Sequence, residues 1–221
     1  EEQWRRTIED ATSKKVDEFR GSWSTPVLFQ DDGRDLMALC MPNKLIAFDP
    51  ASGDTVWSCG GLNLLSYNQP HIGDGIIVAM SGYHGPALAV KTGGKGDVTE
   101  THRLWHHRNK NPQRVGSGAV VGDNLYILNE NGVAWCLDMK TGEKKWEHRL
   151  GGRTWASMSY VDEKLYVSND SGTTYVLQPT PEECTVLAEN HIDELTRASH
   201  AFSDGQILIR TYKHLWCVEE K

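Results

Sequence analysis

No two of the five cysteines in this 221-residue sequence are adjacent, and none form a Cys-x-x-Cys pair. Cys40, Cys59, Cys136, Cys184 and Cys217 therefore offer neither a disulfide framework nor a zinc or dithiol motif, and they read as small buried hydrophobes. Long apolar runs are missing as well. Stretches such as Gly75–Met80 are far too short to cross a bilayer, so no membrane span is expected. Positive charge is not in excess: 23 Lys and Arg stand against 30 Asp and Glu, a net −7, which argues against a nucleic-acid binder. Helical periodicity is weak and confined to Glu9–Arg20. The chain starts at Glu1 with nothing like a signal peptide, and because a processed start would hide one, the compartment stays open.

What is present suits a folded β protein. Charged residues make up 24% and apolar ones 38%, and the eight tryptophans and 21 glycines fit strands separated by tight turns. One spaced pattern occurs twice: Ala47, Asp49, Ser52, Gly53 and Trp57 are matched by Cys136, Asp138, Thr141, Gly142 and Trp146. A recurring unit marks an array, which is read repeat by repeat. Aligning Asp123–Leu137 with Glu163–Leu177 gives a period of about 40 residues, within the range of propeller blades.

The expected fold is all-β, a β-propeller of four-stranded antiparallel blades with about five blades present. The blades are expected at 24–61, 69–109, 116–152, 156–191 and 199–221, with residues 1–23 as the end of a preceding blade or a connector. The fifth stops after its third strand, Leu215–Val218, which leaves an edge for Gln3–Ile8 or an upstream segment to complete.

Each motif residue has a packing role. Asp49 and Asp138 can accept hydrogen bonds from turn amides, Ser52 and Thr141 add hydroxyls, and Gly53 and Gly142 can take positive φ. Trp57 and Trp146 restart the outer strand with a large apolar surface. The pattern resembles the tryptophan-docking repeat of the pyrroloquinoline-quinone (PQQ) propeller superfamily, in which the Trp of one blade stacks on the peptide at the Gly of its neighbour. It is strong in the first and third units and degenerate elsewhere: unit two runs through a longer loop to Trp105, and unit four replaces the turn with Gln178-Pro179-Thr180-Pro181. The Gly-Gly-Lys-Gly-Asp-Val-Thr loop and the segment from Ser203 to Cys217 look like the final blades of BamB-like members. The resemblance implies an arc of a seven- or eight-bladed propeller, with a closed five-bladed ring as the competing arrangement.

The same resemblance implies a non-catalytic scaffold that binds a protein or peptide, in an extracytoplasmic compartment of a bacterium, with no cofactor. The alternative is a quinoprotein-type dehydrogenase fragment, for which the resemblance implies PQQ, Ca²⁺, an Asp base and often a vicinal disulfide. No adjacent cysteines are present, and the prominent Asp residues belong to turns. His102 and His106 fall on an outer strand, about 13 Å apart at strand rise, too far for one ion. Together with His107, Arg108, Lys110 and Arg114 they read as a solvated basic edge open to an acidic partner. Ser117 lacks the strand-to-helix elbow of a hydrolase nucleophile. No catalytic or metal residue is expected. The candidate ligand-binding residues are Trp23, Tyr83, His84, Arg114, Arg153, Trp155, Asn169 and Arg210, placed by topology on inter-blade loops of one face.

Overall fold

The structure is a computed structural model that describes residues 1–8, 20–82, 84–108, 112 and 114–219. The weak helical pattern of Glu9–Arg20 and the candidate Tyr83 lie, wholly or nearly so, outside those residues. All regular elements among the described residues are β-strands. They fall into two compact units, Glu1–Asn111 with Met139–Gly142, and Pro112–Asp138 with Glu143–Lys221.

In the first unit, β1 (Gly21–Ser22) pairs in parallel with β6 (Leu65–Ser66). An antiparallel meander follows the chain through β2 (Val27–Asp31), β3 (Arg34–Met41), β4 (Lys44–Phe48) and β5 (Thr55–Gly60). A second contains β7 (His71–Gly73), β8 (Ile76–Met80), β9 (Ala87–Lys91) and β11 (Arg103–His107). The loop between β9 and β11 carries β10 (Gly96–Asp97), which adds in parallel to β5 and makes the first sheet five-stranded. That addition was not legible in the sequence.

The second unit has β12 (Ala119–Val121), β13 (Asn124–Leu128), β14 (Val133–Asp138) and β15 (Lys144–Arg149) in one sheet. The next holds β16 (Ser159–Val161), β17 (Lys164–Ser168), β18 (Thr173–Gln178) and β19 (Thr185–His191). The last has three strands, β20 (Ala201–Ser203), β21 (Gln206–Arg210) and β22 (Leu215–Glu219). Gln3–Ile8 forms no strand, so it does not complete that sheet. Leu215, Trp216 and Val218 on β22 are exposed.

Local chemistry explains the meanders. The β2–β3, β7–β8 and β20–β21 hairpins turn on Asp-Gly pairs, both residues at positive φ, as a two-residue turn matched to strand twist demands. Middle strands β8, β9, β13 and β14 are buried almost throughout, as in sheets covered on both faces, whereas the fourth strands β15 and β19 are largely exposed. One core gathers Leu36, Ala38, Cys40, Leu45, Ala47, Trp57, Ile77 and Leu88 in the first unit. Another gathers Tyr126, Leu128, Cys136, Leu165, Val167 and Tyr175 in the second.

The repeated turn is a self-contained device. Asp49 Oδ1 accepts from the amides of Ala51 (2.8 Å) and Ser52 (3.3 Å), and Ser52 Oγ accepts from the amide of Asp54 (3.2 Å). Asp138 Oδ2 also lies 3.3 Å from Lys145 Nζ. Gly53 and Gly142 stand at φ 72° and 73°, and a Cβ on either would overlap an indole ring, Trp4 at Gly53 and Trp105 at Gly142. Trp4 Nε1 donates to Pro50 O at 2.9 Å, Trp105 Nε1 to Met139 O at 2.8 Å, and Trp146 Nε1 to Thr180 O at 2.9 Å. Trp57 departs from this pattern. It is fully buried beside Phe29, where β10 lines its strand, and its Nε1 has no partner.

Candidate functional site on the inner loops

A second repeated device precedes the first strand of several sheets. Ser22 Oγ donates to Cys40 O (2.5 Å), Thr154 Oγ1 to Ser168 O (2.6 Å) and Thr196 Oγ1 to Arg210 O (2.7 Å). Each hydroxyl also accepts from the amide two residues on, at Ser24, Ala156 and Ala198. A hydroxyl bonded in both directions pins the loop to the end of the following hairpin and satisfies buried main-chain groups at no cost in exposed polarity. In the second unit a further chain of contacts links successive sheets: Ser117 N donates to Ser157 Oγ (3.0 Å), and Ser157 N to Ser199 Oγ (2.8 Å).

The residue after the pinned hydroxyl is held outward, and this position collects the large side chains. Trp23, half exposed, stacks on Tyr67 with ring centroids 5.1 Å apart at 26°. Trp155 is 39% exposed, and Arg197, in the same position one repeat later, lies over its ring at 4.3 Å. Trp155 Nε1 donates to Glu130 Oε1 at 3.0 Å, and Arg153 Nη2 donates to the same oxygen at 2.7 Å. Glu130 is itself buried and raises the Arg153 pKa through that hydrogen bond. The carboxylate thus fixes both the plane of Trp155 and the reach of Arg153.

Other candidates are placed differently. Arg114 occupies the repeat position of Thr154 but is 1% exposed, so it presents no accessible guanidinium. Its Nε and Nη2 have no partner, and burial pushes its pKa down to about 10. Asn169 is buried and turns its Oδ1 onto the amides of Ser171 and Thr173; Asn129 does the same for Asn131 and Val133. These asparagines serve their own turns. His84 is exposed at a turn with φ 58°, and Arg210 is exposed at the end of β21. On the expected basic edge, His106 Nε2 sits 2.8 Å from Gly61 O, and burial lowers its pKa, so it is part of the packing.

Arg197 and Arg210 border a hollow of about 340 Å³ completed by Ala198, Thr211 and the exposed Tyr212. Glu194, close by, is taken up by Thr211 Oγ1 at 2.5 Å and His214 Nδ1 at 2.6 Å, and the Thr211 hydrogen bond lowers its pKa. Glu130, Tyr67, Arg197 and Tyr212 went unnoticed in the sequence. The usable signal was the approximately 40-residue register that aligns Arg197 with Trp155.

A family model described as outer membrane protein assembly factor BamB matches residues 96–181. The curated outer membrane protein assembly factor BamB of Alteromonas naphthalenivorans is 35% identical over 99 residues, 43% of this chain and 23% of that protein. The crystal structure of BamB from Moraxella catarrhalis superposes with a TM-score of 0.62 at 15% identity, over 83% of this chain and 55% of that one. The chain has the β-propeller fold, and its residues 96–181 are similar to PQQ-like repeats. Quinohemoprotein alcohol dehydrogenase from Comamonas testosteroni shares the fold at TM-score 0.67 and 15% identity, over 90% of this chain and 41% of that enzyme. The chain thus spans about a quarter of the length of the curated relative it matches. Among the described residues, no group of three or more His, Cys, Asp or Glu side chains converges to hold a cation, and all five thiols are separate.

Proposed function

We propose that these PQQ-like repeats form a non-catalytic scaffold whose inner loops bind an extended segment of a protein partner, in an extracytoplasmic compartment. The observation that carries this reading is the pinned, outward-facing set on the loops of the second unit, Trp155 between Glu130 and Arg197. Aromatic and Arg side chains held rigidly lose little entropy on contact, which is what a binding anchor needs. The similarity to proteins titled outer membrane protein assembly factor supports both a protein partner and that compartment. The edge of β22, unpaired among the described residues, offers a second element that an extended chain can pair with.

The test is an array of extended peptides from envelope proteins, probed with the purified chain. Saturable binding to a subset is expected. Oxidation of alcohols or sugars on supplying PQQ and Ca²⁺, with no peptide retained, would replace the scaffold reading by the dehydrogenase one.

A further inference from the structure

We infer that the hollow between Arg197 and Arg210 is a carboxylate-binding subsite, which accepts an acidic side chain or the C-terminal carboxylate of the bound segment. The inference rests on the peptide-binding reading above and names the chemistry that the inner loops select.

The chain carries seven more acidic than basic side chains, so two arginines in one hollow without a counter-charge run against its composition. Neither guanidinium has a hydrogen bond or ion pair among the described residues; the recorded contact of Arg197 is the face of Trp155. That contact orients the guanidinium while leaving its edge donors free. On these loops Glu194 is occupied by Thr211 and His214, and Glu130 by Arg153 and Trp155. Asp170, whose carbonyl accepts from Thr196 N at 3.1 Å, makes no ion pair with either arginine among the described residues.

The remaining wall adds to the same polarity. Tyr212 is exposed, and its amide is tied to Leu195 O at 2.9 Å, which fixes the main chain that carries the phenol. The Arg210 carbonyl is used by Thr196, so the main chain at this point is fixed, and the two guanidinium groups bring donors to the hollow. About 340 Å³ is room for one carboxylate-bearing residue with water, at the small end of ligand sites. Planar guanidinium groups match a carboxylate in bidentate fashion, and such pairs are the strong, geometrically selective hydrogen bonds.

The test uses the purified chain and three synthetic peptides of one neutral backbone: one with an Asp-Glu pair and an amidated end, one neutral with a free C-terminus, and one neutral and amidated. Titration calorimetry reads affinity for the wild type, for Arg197→Gln/Arg210→Gln, and for Arg34→Gln as a distant control. Melting temperature checks the fold of each. The subsite predicts that a carboxylate-bearing peptide binds at least about tenfold more tightly than the amidated neutral one. The double variant should lose that difference at unchanged melting temperature, and the control should keep it. The peptide that binds identifies the carboxylate's source. Equal binding of all three peptides, or an undiminished preference in the double variant, overturns the subsite and leaves the peptide-binding reading standing. Absence of binding by any peptide, together with a blank array, removes both.

Discussion

Trp146 and Trp155 stand nine positions apart in the numbering and both donate their indole N–H to an oxygen, yet they belong to different regions with different logic. Trp146 is on the fourth strand of its sheet and meets the main-chain carbonyl of Thr180 in the next outer turn. Any residue supplies a carbonyl, so this contact survives even though the next turn has become Gln178-Pro179-Thr180-Pro181. Trp155 is on an inner loop and meets a side-chain carboxylate that belongs to one blade, Glu130. Contacts to the main chain repeat and build the scaffold. The contact of Trp155 with the Glu130 carboxylate belongs to one blade, and it gives that part of the molecule its own chemistry.

Three predictions probe that division. The largest of these three effects is expected where the inner loops are pinned. Thr154→Val removes a buried hydroxyl that both donates to Ser168 O and accepts from Ala156 N, leaving two main-chain groups unsatisfied. Denaturant unfolding should show a loss of about 2 kcal/mol. No loss would mean that the loop is held by the serine links alone.

A second effect depends on pH. His200, buried next to Ser199, contacts Thr174 Oγ1 through Nε2 at 3.0 Å and has no partner at Nδ1; burial lowers its pKa to about 4. The unfolded chain takes up this proton near pH 6.5, well above the folded one, so between those values the unfolded state binds more protons. Its contribution is complete above about pH 6.5 and is lost as the pH falls toward 4. Urea midpoints at pH 7 and pH 4.5 should therefore differ, and His200→Gln should flatten the difference. An unchanged slope in that variant would assign the acid sensitivity to other groups.

The smallest effect is a gain. Arg114 sits where Thr154 and Thr196 carry the pinning hydroxyl, and among the described residues its buried Nε and Nη2 have no partner. Arg114→Met should raise stability by about 1 kcal/mol, because the desolvation cost disappears while the packing is kept. A fall in melting temperature would show that the guanidinium is paired.

Much of the scaffold was legible before the structure. The Asp-x-x-Ser/Thr-Gly turn and its Trp announced the repeats, since both chemistry and spacing are local to the sequence. The parallel addition of β10 to β5 was not legible, because it comes from a loop folding back on a neighbouring sheet, and so was the resulting burial of Trp57. The candidate site was half legible. Arg153 and Trp155, expected on loops, lie between β15 and β16, whereas Arg210, also expected on a loop, ends β21. Glu130, which organises two of them, looked like an ordinary turn carboxylate, and Asn169 and Arg114 looked available although burial removes them. Which polar group faces solvent depends on packing between sheets, and no single segment encodes that.

The central claim is that outer-turn tryptophans hold the fold while inner-loop side chains bind. Melting temperature and peptide affinity measured together on Trp146→Ala and Trp155→Ala test it most directly. Trp146→Ala is expected to melt far earlier, with a stability loss of about 3 kcal/mol, while retaining affinity at temperatures where it remains folded. Trp155→Ala should lose affinity with little change in melting temperature. A Trp155→Ala protein that melts as early as Trp146→Ala, or that binds peptide as tightly as the wild type, would contradict the account.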